Sequence, residues 1–259
     1  MSGQVLSRLP WRKFAAEFIG TAVLLFFGLS LVIVMFGAGN PVAKLLPDVR
    51  VRMIASGFLF GCVGGSIAIS HVGKYSGAHI NPMVTLVFWL FGKLESPVAL
   101  GYVLAQLAGG IAGCLPLLAW GPLGRSISFG ATVPGEGYTT WDAILGEALT
   151  TFGLVTVLCL FIGFRHLRQF TPAVIPVLYA IMVPLEAPVS GTSTNPARSL
   201  GPAVISGEWH GWWIYWLGPF LGTLACALFF SRLKYRIEEA RLYYFEAQPR
   251  RIPRKGQVA

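Results

Sequence analysis

The sequence predicts an all-α membrane protein: six transmembrane helices plus two re-entrant half-helices, built as an inverted internal repeat. Three observations predict it. Of 259 residues, 54% are hydrophobic and 12% charged, where a soluble domain carries about 25% charged residues. The charges gather in short stretches and leave apolar runs long enough to cross a bilayer. Finally, Ser76-Gly77-Ala78-His79-Ile80-Asn81-Pro82 aligns without a gap on Ser190-Gly191-Thr192-Ser193-Thr194-Asn195-Pro196.

The spans read near 12–36, 51–70, 97–119, 142–164, 172–188 and 211–231. Two further apolar stretches, 81–91 and 195–205, are about half the length a crossing needs. Such pieces survive inside a bilayer only where their irregular backbone is buried in protein or lines water. Each half opens with a helix carrying one early carboxylate, Glu17 or Glu147, and closes with a glycine-spaced helix. The latter read Gln106-Leu107-Ala108-Gly109 and Pro219-Phe220-Leu221-Gly222. Three spans per half is an odd number, so the second copy must sit upside down. The expected organisation is a membrane domain over 1–233, with repeats at about 11–120 and 141–233, followed by a basic tail over 234–259.

The net charge of +9 raises the question of nucleic acid, and its distribution answers it. Fifteen of the twenty Lys and Arg residues fall on the side of both termini, eight of them between Arg232 and Lys255. That is a positive-inside pattern, which places both termini in the cytoplasm of a cell-membrane protein. The tail is either simply solvated or touches anionic lipid head groups. The apolar run after Arg8, Arg12 and Lys13 is too long for a signal peptide and reads as the first span. Cys62, Cys114, Cys159 and Cys226 all lie in apolar runs, with no CxxC or Cys/His cluster. No disulfide framework, metal site or cofactor is expected; the alternative for Cys62 alone is a pore-lining thiol.

The Asn-Pro pairs carry the chemistry. Asn caps a helix by accepting from a free backbone N–H, and Pro at the first helical position has no N–H to leave unsatisfied. Asn81-Pro82 and Asn195-Pro196 therefore each start a half-helix, and inversion points the two starts at each other. Each N-terminus carries roughly half a positive charge, so their meeting point repels cations. The Asn amides add N–H donors for a passing oxygen. A water held there by two donors presents its hydrogens outward, which breaks a proton-conducting chain.

At these residues the chain resembles the aquaporin (major intrinsic protein) family over about 11–233. The motifs are Ser-Gly-Ala-His-Ile-Asn-Pro, Asn195-Pro196-Ala197-Arg198-Ser199, Ala105-Gln106 with Gly109, and Gly218-Pro219 with Gly222. The resemblance implies a passive pore for water and small neutral solutes and a homotetramer. It places Asn81, Pro82, Met83, Asn195, Pro196 and Ala197 at the midplane, Met83 standing where the family usually has Ala, a larger and flexible side chain expected to narrow or reshape the midplane. It implies that Arg198 belongs to the outer constriction, a role suited to a permanently charged multiple donor; an Arg that only pins its own loop is the alternative. The family's spacing from the two Asn residues puts Gly61, Val183 and Thr192 beside it, with Phe60 or Cys62 replacing Gly61 after a one-residue slip. Gly61 and Val183 are smaller than the Phe and His of water-selective members, which points to a wider opening of the glycerol or metalloid kind. Ser199, Ala203 and Tyr215-Trp216 instead follow the water-channel pattern.

The resemblance implies that Glu17 and Glu147 are structural and accept hydrogen bonds from the re-entrant loops, the alternative being proton coupling in a transporter. His79 is expected to line the inner mouth; His71 has a packing or gating role there. Glu186, one helical turn past Val183, is either solvated in the outer vestibule or paired with Arg198. The rival functions are a glycerol, urea or metalloid facilitator with little water flux, a coupled secondary transporter, and a non-conducting scaffold.

Overall fold

The computed structural model describes residues 9–233 together with Arg241 and Leu242. The rest of the basic tail over 234–259, and Arg8, lie outside the described residues. The helices longer than six residues, in order, are α1 (Trp11–Phe36), α2 (Val49–Ile69), the short α3 (Pro82–Leu90), α4 (Ser96–Cys114), α5 (Thr140–Gly163), α6 (Thr171–Ser190), the short α7 (Pro196–Ser206) and α8 (Ile214–Arg232). The six longer ones are each apolar enough to cross a membrane, and no strand occurs among the described residues.

Local chemistry explains where these helices depart from the expected bounds. α4 was expected to run to 119. It gives way to a 3-10 stretch, Leu115–Trp120, because Pro116 has no N–H to donate one turn back. α8 starts three residues later than expected because Gly211 sits at φ +64, a left-handed conformation that an α-helix cannot run through. Both half-helices begin as expected, with Asn81 and Asn195 as extended N-caps and proline at the first helical position.

Burial of apolar surface does little to bring spans together in lipid; close backbone approach does more. On α2, Gly57, Gly61 and Gly65 form a ridge under α6. A Cβ added to them would meet the Tyr179 carbonyl oxygen at 2.4 Å, the Pro176 Cα at 2.5 Å and the Pro172 carbonyl oxygen at 2.5 Å. The other two tight crossings obey the repeat. A Cβ added to Gly109 of α4 would meet the carbonyl oxygen of Phe18, one residue past Glu17, at 2.3 Å, and one added to Gly222 of α8 would meet that of Ala148, one residue past Glu147, at 2.2 Å. The half-helices lock the repeats into each other: α7 packs mainly on α4 of the first half, and α3 on α8 of the second as well as on α4. Exposed Trp11 and Trp141 stand at helix starts on opposite sides, where interfacial tryptophans anchor a bundle.

Candidate functional site

The loops before α3 and α7 dip into the protein in a conformation ordinary residues avoid. Gly77, Ala78 and Ile80 have φ of 101, 55 and 43, and Gly191, Thr192 and Thr194 have φ of 92, 53 and 51. Four of these six are not glycine, so both loops store backbone strain that their surroundings must hold in place.

The holders are the two early carboxylates. Glu17 accepts the His79 N–H at 3.0 Å on one oxygen and the Ile80 N–H at 2.7 Å on the other. Glu147 does the same for Ser193 at 2.7 Å and Thr194 at 2.8 Å. Both are fully buried, and each takes a third donor: the Gln106 amide on Glu17 and the Ser190 hydroxyl on Glu147. Such donors offset the cost of burying a carboxylate. In a trans peptide the C=O points opposite to the following N–H. The carbonyls of Ala78 and His79 are therefore turned away from Glu17, and those of Thr192 and Ser193 away from Glu147. Two tyrosines complete the frame: Tyr102 donates to the Ser76 carbonyl at 2.7 Å and Tyr215 to the Ser190 carbonyl at 2.9 Å.

The two Asn side chains interlock. Asn81 Oδ1 accepts the Met83 N–H at 2.8 Å while its Nδ2 donates to the Thr194 carbonyl at 2.9 Å. Asn195 Oδ1 accepts from Ala197 at 3.0 Å while its Nδ2 donates to the Ile80 carbonyl at 3.0 Å. Each amide thus spends one N–H tying the loops together and keeps a second. Both Asn residues border a cavity of about 50 Å3, together with His79, Val84 and Leu158. A larger cavity of about 240 Å3 lies beyond, bordered by Val183, Thr192, Ser193 and Arg198. α2 leads from the far side back to the side of both chain ends and so into the first loop; the smaller cavity is therefore on the termini side and the larger on the far side.

Arg198 is buried and donates through Nη1 to the Gly130 carbonyl at 2.7 Å. Gly130, at φ +79, belongs to the connection between α4 and α5, so the guanidinium is pinned by one atom and still borders the cavity. Phe60 and Tyr179 border both cavities and stand between them. Their ring centroids are 5.9 Å apart, and the Tyr179 hydroxyl bonds Thr194 Oγ1 at 2.9 Å.

Several sequence expectations move. Gly61 does not stand beside Arg198: it borders the termini-side cavity and lies in the ridge against Pro176, because α2 turns its glycine stripe toward α6. On the far side, α2 presents Met53, Ser56, Gly57 and Phe60 instead. Pro82, Met83, Pro196 and Ala197 border neither cavity. Met83 faces an outer cleft with Trp213, Trp216 and Phe220, so its bulk does not narrow the midplane. Glu186 neither borders these cavities nor pairs with Arg198. One of its carboxyl oxygens lies against the Ser190 hydroxyl and over Gly146 of α5, facing the back of the second loop. His79 both borders the termini-side cavity and packs, stacked on Phe88 at 4.8 Å with Nδ1 at 3.2 Å from Thr85 Oγ1. Cys62 borders neither cavity, and His71 is exposed. Sequence reasoning missed Gly130, Tyr102 and Tyr179. A carbonyl partner leaves no composition signal, and one tyrosine in an apolar helix looks like packing.

Residues 4–230 match the sequence profile described as Major intrinsic protein. The lens fiber major intrinsic protein of Gallus gallus is 33% identical over 231 residues, 85% of this chain and 80% of its own length. Aquaporin AqpM of Methanothermobacter marburgensis is 32% identical over 239 residues, 86% of this chain and 97% of its own. Among solved structures, the aquaglyceroporin from Plasmodium falciparum superposes with a TM-score of 0.66 at 21% identity, covering 86% of this chain and 96% of that one; at that identity it speaks for the fold. The paired loops, their buried carboxylates and the profile match agree: this multi-pass membrane protein belongs to the major intrinsic protein family of channels for water and small solutes.

Proposed function

We propose that the chain conducts water and small neutral solutes such as glycerol passively, and excludes ions and protons. The observation that carries this is the Asn81–Asn195 interlock. It leaves one N–H from each Asn beside the path, at the joint positive ends of α3 and α7. A water held by both donates only outward, so no proton wire passes. The carbonyls turned away from Glu17 and Glu147 supply acceptors on either side.

Selection of the solute belongs to the far-side mouth, with Arg198, Thr192 and Val183 as the filter and the Phe60–Tyr179 pair as the narrowing below it. Arg198 repels cations and donates to solute oxygens. Val183, Met53 and Phe36 give the same cavity apolar lining, a combination suited to a carbon backbone with hydroxyls. This favours a second reading, a glycerol, urea or metalloid facilitator with little water flux. A proton-coupled transporter is disfavoured because Glu17 and Glu147 are both committed to backbone N–H groups. Residues 1–233 form the channel unit, assembled as a homotetramer in the cell membrane with cytoplasmic termini.

Stopped-flow light scattering of proteoliposomes under water, glycerol and urea gradients tests this, beside a proton-gradient control. Water and glycerol flux above protein-free vesicles, without proton entry, is expected. Glycerol flux with negligible water flux selects the second reading, and solute accumulation driven by a proton gradient overturns both.

A further inference from the structure

Beyond residue 233 the structure describes two residues, Arg241 and Leu242, and Leu242 lies at the base of the first re-entrant loop. The Leu242 N–H donates to the Gly77 carbonyl at 3.0 Å. Its side chain, 3% exposed, packs with Ala78, Val84 and Leu158 and borders the same cavity as Asn81 and Asn195. Both contacts come from a part of the chain that follows the last span.

The two cavities differ accordingly. The far-side cavity measures about 240 Å3 and the termini-side cavity, with Leu242 in its wall, about 50 Å3, room for only a few waters. A conducting path needs a wet mouth on both sides, and an apolar side chain seated in one offers water no partner. The Gly77 carbonyl gives the seat its direction. It is available because Gly77 is left-handed at the turn into the loop, and a hydrogen bond there sets Leu242 against the loop that ends in Asn81.

We propose that the termini-side mouth is a docking site for Leu242, and that this side chain, held by its own N–H on the Gly77 carbonyl, plugs the path until it withdraws. This rests on the channel reading above, so its test has two independent arms. In proteoliposomes, the full-length protein is compared with Leu242→Ala, which removes the plugging side chain, and Leu242→Pro, which removes the N–H that Gly77 receives. Both raise water permeability per protein several-fold, and Leu242→Met stays near the parent. A parent that conducts as fast as both variants overturns the plug and leaves the channel reading standing.

The second arm needs no flux. Leu158→Cys places a thiol on the cavity wall, and its modification by a charged methanethiosulfonate reagent is timed in detergent, with the unsubstituted chain as blank. Labelling is several-fold faster when Leu158→Cys is combined with Leu242→Ala than alone. Equal rates overturn the plug, and they do so even if no variant conducts, the outcome that would overturn the channel reading instead.

Discussion

Val84 and Arg198 occupy the same place in the two repeats, three residues past Asn81 and Asn195. They face opposite cavities: Val84 the small one on the termini side, Arg198 the large one on the far side. The frame around them is duplicated nearly bond for bond. A carboxylate takes two consecutive N–H groups, a tyrosine hydroxyl takes a serine carbonyl, and an Asn crosses to the other loop. The outer supports are not duplicated. The first loop is braced by an amide and an imidazole, with Gln106 reaching both Glu17 and Thr85 and His79 on Thr85. Proline stands at 219 in the place of Gln106, and the second loop is braced by hydroxyls. Ser190 reaches Glu147 and Glu186, and Ser193 bonds Ser199, which bonds Thr132. The duplicated bonds hold the two loops, while the guanidinium of Arg198 borders the far-side cavity and has no charged counterpart at Val84.

The largest expected effect comes from breaking what the halves share. Glu17→Gln or Glu147→Gln turns an NH2 toward a backbone N–H, and each should cost about 2–4 kcal/mol from an unsatisfied, opposed donor. Thermal unfolding of the purified protein in detergent measures it. A variant that melts with the parent would remove that carboxylate from the frame.

Breaking what the halves do not share comes next. Arg198→Val makes the second position like the first, and cation or proton leak measured by a pH-sensitive dye inside proteoliposomes should rise about tenfold or more. Val84→Arg, the converse, should depress water flux without raising leak. If Arg198→Val stays tight to protons, the exclusion resides in the shared Asn frame alone.

Gly61 offers a sharper test of packing against selection. Gly61→Ala meets the Pro176 backbone at 2.5 Å and should destabilise by about 1–3 kcal/mol. Gly153→Ala, where nothing stands within 4 Å, should be neutral or stabilise by about 0.5–1 kcal/mol. A Gly61→Ala protein with unchanged melting but reduced glycerol flux would return Gly61 to the filter.

The smallest effects lie in the separate braces. Gln106→Leu and Ser190→Ala each remove a donor while Glu17 and Glu147 keep their backbone partners, so each should cost about 1 kcal/mol in the same melting assay. A much larger loss at Ser190 would mean that the Ser190–Glu186 contact carries the second loop.

Much of this was legible from residues because the governing physics is local. An Asn-Pro pair caps a helix wherever it stands, so the half-helices could be read directly; a carboxylate in an apolar helix must find donors, but that Glu17 and Glu147 find them in the re-entrant loops came from the family resemblance. Gly61 could not, because counting back from Asn81 crosses a helix end and a loop. Each residue of slip turns a helical side chain by about 100°. Met83 was misread for a similar reason: its distance from the midplane follows from the sequence, its direction does not. The Glu186–Arg198 pairing failed because a shared depth in the membrane says nothing about which side of a loop a side chain approaches.

By itself, the sequence determined the solvent, the six spans, the inverted repeat and the two facing half-helices. Composition, run length and capping chemistry each act within a few residues. Only the tertiary structure decided that Phe60 and Tyr179 stand between the cavities, that Gly130 pins Arg198, and that Leu242 sits in the termini-side mouth. Those contacts join segments far apart in the chain, and their geometry depends on helix rotation and close approach at glycine, which no local pattern encodes.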